Sequence, residues 1–171
     1  MIERELSVLR DALVSPRSEL VVYGRRRVGK TYLLKYFLGL YGGLYLVINY
    51  SSRGLILRDL SRQLRREYGG GFGVFDTFRD LYMAAFSVAE KYSSKKPVLV
   101  TDEVQRLSGS GGLTELQYLW DNTLSYSIVL LILCGSGVGL IARSLLSYES
   151  PLYGRATRII YLDSFSYRQA S

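Results

Sequence analysis

Histidine is missing altogether from this chain of 171 residues. Ser-His-Asp and Cys-His catalysis need an imidazole base, and the common zinc sites need His or several Cys, so those chemistries are excluded. Cysteine occurs once, at Cys134, so no internal disulfide can form. That fits a reducing interior and a cytoplasmic location. Lysine is scarce: Lys30, Lys35, Lys91, Lys95 and Lys96 are all there are, and arginine supplies most of a net charge of +7. Such an excess attracts any polyanion, nucleotides included, and does not by itself select nucleic acid. The longest apolar run, Ile128 to Cys134, is far short of the roughly 20 residues that span a bilayer. No basic-then-apolar leader opens the chain, so neither membrane insertion nor secretion is expected.

What is present suits one domain with a real core, at 48% apolar and 22% charged residues. Leu6, Leu9 and Leu13 recur at helical spacing and predict an opening helix over 2–13. Strands are expected at 19–23, 44–49, 98–103, 128–134 and 157–162. Helices are expected at 31–40, 55–68, 75–92, 113–124 and 137–146, and SGSGG at 108–112 as a flexible loop. Strands alternating with helices imply right-handed crossovers and a parallel α/β sheet covered on both faces.

Between the first strand and the second helix stands GRRRVGKT, residues 24–31, which satisfies G-x-x-x-x-G-K-[ST]. Gly24 and Gly29 let the backbone turn consecutive N–H groups inward, and the following helix adds its positive end. Lys30 then reaches phosphate oxygens as a mobile point charge, and Thr31 offers a hydroxyl to Mg²⁺. A random chain of this length meets the pattern on the order of one time in a hundred, and the strand–loop–helix setting makes chance rarer still. The candidate ATP-binding segment is therefore Gly24, Arg25, Arg26, Arg27, Val28, Gly29, Lys30, Thr31 and Tyr32. The side chains of Arg25, Arg26 and Arg27 should point out of the loop and receive no role.

VLVTDE, 98–103, delivers two carboxylates at the C-terminal end of an apolar strand, where open parallel sheets place their ligands. Asp102 is placed to hold Mg²⁺ and Glu103 to orient or deprotonate an attacking water. An acidic turn after a strand is common in isolation; beside a phosphate loop it reads as chemistry. No Asn-Lys-x-Asp motif for guanine is present.

ERELSVLRDAL, YGRRRVGKTYLL, LVTDEVQRL, LILCGSGVGLI and the segment from Ser150 to Ala170 together resemble the archaeal ATPase family, related to the STAND and AAA+ groups. The resemblance implies a three-layer P-loop NTPase fold with strand order 5-1-4-3-2. It also implies ATP and Mg²⁺ as ligands, and an ATPase acting as a switch or motor. Ser136 would sense the γ-phosphate. Arg155, just before the fifth strand, would serve as an arginine finger toward its own or a neighbour's nucleotide. Where the family usually has proline, this chain reads Asp163-Ser164-Phe165-Ser166. A helical lid and a winged-helix domain would follow Ser171 in a full-length relative, so 1–171 reads as a nucleotide-binding core with 1–14 as its opening helix. A DNA or protein partner would be met through those missing parts, and a homo-oligomer through Arg155. The rival readings are a nucleotide-gated interaction module with negligible turnover and a nucleic-acid-binding ATPase. Arg58, Arg62, Arg65 and Arg66 read as a solvated helix face, and Cys134 as a small hydrophobe.

Overall fold

The structure, a computed structural model, describes residues 2–25, 30–69, 71–136 and 141–162. Ten regular elements follow the chain: α1 (Ile2–Val14), β1 (Glu19–Arg25), α2 (Lys30–Tyr41), β2 (Leu44–Val47), α3 (Arg53–Tyr68), α4 (Phe78–Tyr92), β3 (Val98–Asp102), α5 (Gly112–Asn122), β4 (Leu130–Gly135) and β5 (Arg158–Leu162). The strands form one parallel sheet in the order β2-β3-β4-β1-β5, which is the expected 5-1-4-3-2 read from the other edge.

Alternation along the strands feeds two cores. Leu20, Val22, Leu44, Leu46, Leu99, Leu131 and Leu133 face α3, α4 and α5. Val21, Tyr23, Val98, Val100, Leu130, Ile132 and Cys134 face α1 and α2 with Leu9, Leu13, Leu33 and Phe37. Strands buried on both sides lose the polar alternation of a half-exposed sheet, which is why VLV and LLILC read as unbroken apolar runs.

The free edge of β2 is closed by side chains. The Val47 N–H donates to Gln63 Oε1 at 2.9 Å, and Gln63 Nε2 donates back to the Val47 carbonyl at 2.7 Å. The Tyr45 N–H donates to the Tyr68 hydroxyl at 2.9 Å. α3 thus supplies the partners that a sixth strand would have supplied, leaving no open template there. Behind it Arg58, Arg62 and Arg66 are exposed, as the solvated-face reading expects, and Arg65 donates to the Phe72 carbonyl at 3.2 Å.

Several boundaries differ from expectation. β1 runs on through Gly24 and Arg25 because both pair with β5, and Gly24 also with Gly135. α4 starts at Phe78 because Thr77 caps it, its hydroxyl accepting from the Asp80 N–H at 3.1 Å. The expected flexible SGSGG loop is instead a tight turn. Ser110 is buried, its Oγ donates to the Leu107 carbonyl at 2.6 Å, and it accepts from the Gly112 N–H at 3.1 Å. The expected helix at 137–146 is described only from Ile141, where a π-helical turn spans Ala142–Leu146.

The end of α2 supports a stability prediction. Gly42 has φ 81°, and a Cβ there would overlap the Tyr92 carbonyl oxygen. Gly42→Ala therefore combines left-handed strain with a backbone clash that no side chain can relieve. Urea unfolding is expected to show a loss of about 3 kcal/mol.

Candidate functional site

The parallel register brings the C-terminal ends of β1, β3 and β4 to one edge, where Gly24 lies beside Gly135 and Asp102 closes β3. Asp102 falls on the same face as Val100, so it meets the first turn of α2. Glu103 follows on the opposite parity. These two parities split the site into a side facing α2 and a side facing β4.

On the α2 side, the Asp102 carboxylate is held by several donors. Its Oδ1 accepts from the Glu103 N–H at 2.7 Å and from the Cys134 thiol at 3.1 Å. Its Oδ2 accepts a hydrogen bond from the Tyr45 hydroxyl. Tyr45 Oη in turn lies 3.5 Å from Thr31 Oγ1. One oxygen atom therefore spans the gap between the two expected metal ligands. Burial first, and the Asp102 carboxylate after it, push the Tyr45 phenol above its usual range. The Lys35 ammonium stands 5.4 Å from the centre of the Tyr45 ring and steadies it from α2.

On the other side, Glu103 is in the left-handed region at φ 58°, the only such non-glycine among the described residues. That conformation costs on the order of 1–3 kcal/mol and persists only where the surroundings enforce it. Here it aims the carboxylate at β4. Ser136 Oγ contacts both carboxylate oxygens, 2.9 Å from Oε1 and 3.0 Å from Oε2, and Gln105 Nε2 donates to Oε2 at 2.6 Å. Gly135 makes room for this grip, because a Cβ there would overlap the Gln105 amide and come within 2.7 Å of Ile141 Cδ1.

The sequence-derived residues are thus partly assembled. Asp102 and Thr31 come together through Tyr45, and Glu103 joins Ser136. Lys30 opens α2 and Tyr32 follows Thr31 on it, its ring 65% exposed and stacked on Tyr36 at 6.3 Å. Gly24 and Arg25 end β1; Arg26, Arg27, Val28 and Gly29 lie outside the described residues, as does the segment 163–166. The expected phosphate loop is therefore bracketed by a strand end and a helix start.

Arg155 stands apart from that grouping. Its guanidinium forks onto Asp121 of α5, Nε to Oδ1 at 3.1 Å and Nη2 to Oδ2 at 2.9 Å, while Nη1 donates to the Tyr153 carbonyl at 3.0 Å. The hydrogen bond from Arg155 holds the Asp121 carboxyl below its ordinary range. Two residues escape sequence reasoning. Tyr45 is one tyrosine among 15, and Gln105 stands out only as part of the Asp-Glu-x-Gln segment. Cys134, read as a small hydrophobe, is buried but also donates to Asp102.

The donors present fit Mg²⁺. A hydroxyl and a carboxylate oxygen that both reach the Tyr45 hydroxyl are hard ligands of the kind that ion takes, with water and phosphate able to complete the shell.

Comparison with known proteins agrees with the fold. A family model described as an ATPase domain predominantly from Archaea matches residues 3–171. An uncharacterized protein of Methanocaldococcus jannaschii, MJECL04, is 28% identical over 170 residues, covering 97% of this chain and 36% of its own length. Among solved structures, the Aeropyrum pernix ORC2 protein superposes with a TM-score of 0.56 at 16% identity, covering 94% of this chain and 46% of that one. Cdc6p from Pyrobaculum aerophilum gives 0.55 at 20%, over 93% and 44%. A single-residue variant of Thermotoga maritima RuvB gives 0.53 at 19%, over 95% and 44%. These likenesses establish the P-loop NTPase fold. The chain spans about a third of the curated relative and under half of each solved one. Among the described residues no helix is long and apolar enough to cross a membrane.

Proposed function

The chain belongs to the family of ATPase domains found predominantly in Archaea, and from that premise we propose that it binds ATP with Mg²⁺ and hydrolyses it, acting as a molecular switch or motor for a partner. The supporting observation is the meeting of Thr31, Asp102, Glu103 and Ser136 at the strand ends and the start of α2. Backbone N–H groups of 24–31 and Lys30 grip the phosphates. Thr31 and Asp102 would hold the metal, which would supply positive charge to the phosphates. Glu103 accepts from the attacking water, and Ser136 reports the γ-phosphate. Calorimetric titration with ATP and Mg²⁺, followed by phosphate release, tests the proposal. Binding in the micromolar to millimolar range with turnover supports it, and no heat at millimolar nucleotide overturns it.

A slower second reading draws support from Glu103 itself. Its carboxylate is already engaged by Ser136 and Gln105, which compete with water for its lone pairs. A nucleotide-gated interaction module with little turnover follows from that, and a stable ATP-bound oligomer by light scattering without phosphate release would favour it. Arg155 acts on a phosphoryl group only by leaving Asp121. Arg155→Ala is accordingly expected to leave ATP affinity within about twofold while lowering turnover at least tenfold, by calorimetry and phosphate release. The Aeropyrum pernix ORC1 protein, another similar structure, was solved in complex with DNA; for this chain, DNA or protein contact through further domains is part of the proposal.

A further inference from the structure

We propose that the Tyr45 hydroxyl is a placeholder for the divalent cation, so that a residue of the edge strand sets the metal affinity of the site. The inference rests on the nucleotide reading above and concerns a residue to which that reading gives no part. Tyr45 pairs with Val100, two residues before the Val47–Asp102 pair, so its side chain shares the face of Asp102 and reaches it diagonally. Its hydroxyl then sits between the two oxygens a metal would take, hydrogen-bonded to Asp102 Oδ2 and 3.5 Å from Thr31 Oγ1.

A proton and a magnesium ion compete for the same carboxylate lone pair. Mg²⁺ needs its ligands at about 2.0–2.1 Å in near-ideal octahedral geometry. A phenol oxygen lying between the two ligands leaves no room for that shell. The neutral phenol must therefore swing off Asp102 as the metal enters. Tyr45 is well built for the task, since its backbone stays fixed by Tyr68 while its ring is only half-buried under Lys35. The hydroxyl keeps Asp102 satisfied in the metal-free protein and makes metal entry cost one charge-assisted hydrogen bond. Tyr45 is a positioning residue: it acts on the metal through Asp102.

Mn²⁺ binding, followed by electron paramagnetic resonance on the full chain with a non-hydrolysable ATP analogue, reads this directly. Tyr45→Phe is expected to bind Mn²⁺ about tenfold more tightly, with metal-free affinity for the analogue within about twofold of wild type. Equal or weaker Mn²⁺ binding by a variant that still binds the analogue overturns the placeholder alone. Loss of analogue binding by wild type overturns the nucleotide reading and the placeholder with it. Tyr45→Met carries the same comparison if the phenylalanine variant lacks a cooperative melt. A second readout follows wild type and uses a folded variant only to assign the resonance. In protein carrying 3-fluorotyrosine, the fluorine resonance that vanishes in either variant should shift when Mg²⁺ joins the analogue complex, and a stationary resonance overturns the placeholder.

Discussion

Glu103→Gln is expected to cut phosphate release by at least about a hundredfold while leaving ATP affinity within a factor of about three. The amide keeps the size of the carboxylate and still accepts from Ser136 through its oxygen, so the end of β3 should remain in place. What it loses is the capacity to take a proton from water. The left-handed backbone at this residue sharpens the prediction, because the chain sustains an unfavourable φ in order to aim that one side chain. A side chain serving only the fold would be tolerated with ordinary backbone geometry. Single-turnover phosphate release in wild type and variant, with affinity measured in parallel, separates chemistry from binding. Equal rates would remove Glu103 from the mechanism, and a collapse of affinity would mean that it holds nucleotide rather than water.

Much of this site is legible in the sequence because its residues are neighbours along the chain. VLVTDE carries its own context, an apolar run and then two acids, so the arrival of Asp102 and Glu103 at the end of a buried strand is legible there. Gly24 to Thr31 is similarly local. The sheet order is different in kind. Periodicity finds five strands and says nothing of their order in space, and it is the likeness to a family that supplies 5-1-4-3-2. Three contacts are out of reach for a common reason, namely that each joins segments far apart in the chain. Tyr45 reaches Asp102 only through the register of β2 on β3. Gln105 needs the absence of a side chain at Gly135, and Arg155 finds Asp121 across α5. The glycine pattern at 108–112 misleads for the converse reason. It marks a turn correctly, yet whether a turn is loose or tight depends on what covers it, and Ser110 is covered.

Lys30→Ala is expected to weaken ATP binding about a hundredfold. An ammonium reaching two phosphate oxygens makes two charge-assisted hydrogen bonds, each worth about 1.5 kcal/mol net, and about 1.4 kcal/mol is a factor of ten. The position of this lysine is the strongest argument for the size of the effect. Lys30 opens α2, with no acidic residue in the first turn of that helix, so its charge adds to the helix's own positive end and suits an arriving anion. Two melting curves test the assignment. Without nucleotide, Lys30→Ala should melt within a few degrees of wild type. With ATP and Mg²⁺ at about one hundred times the wild-type dissociation constant, wild type should gain about 2.7 kcal/mol and the variant about 0.4 kcal/mol. A variant that melts far lower on its own, or that keeps its full ligand-induced gain, would assign Lys30 to the fold and take the phosphate grip away from the start of α2.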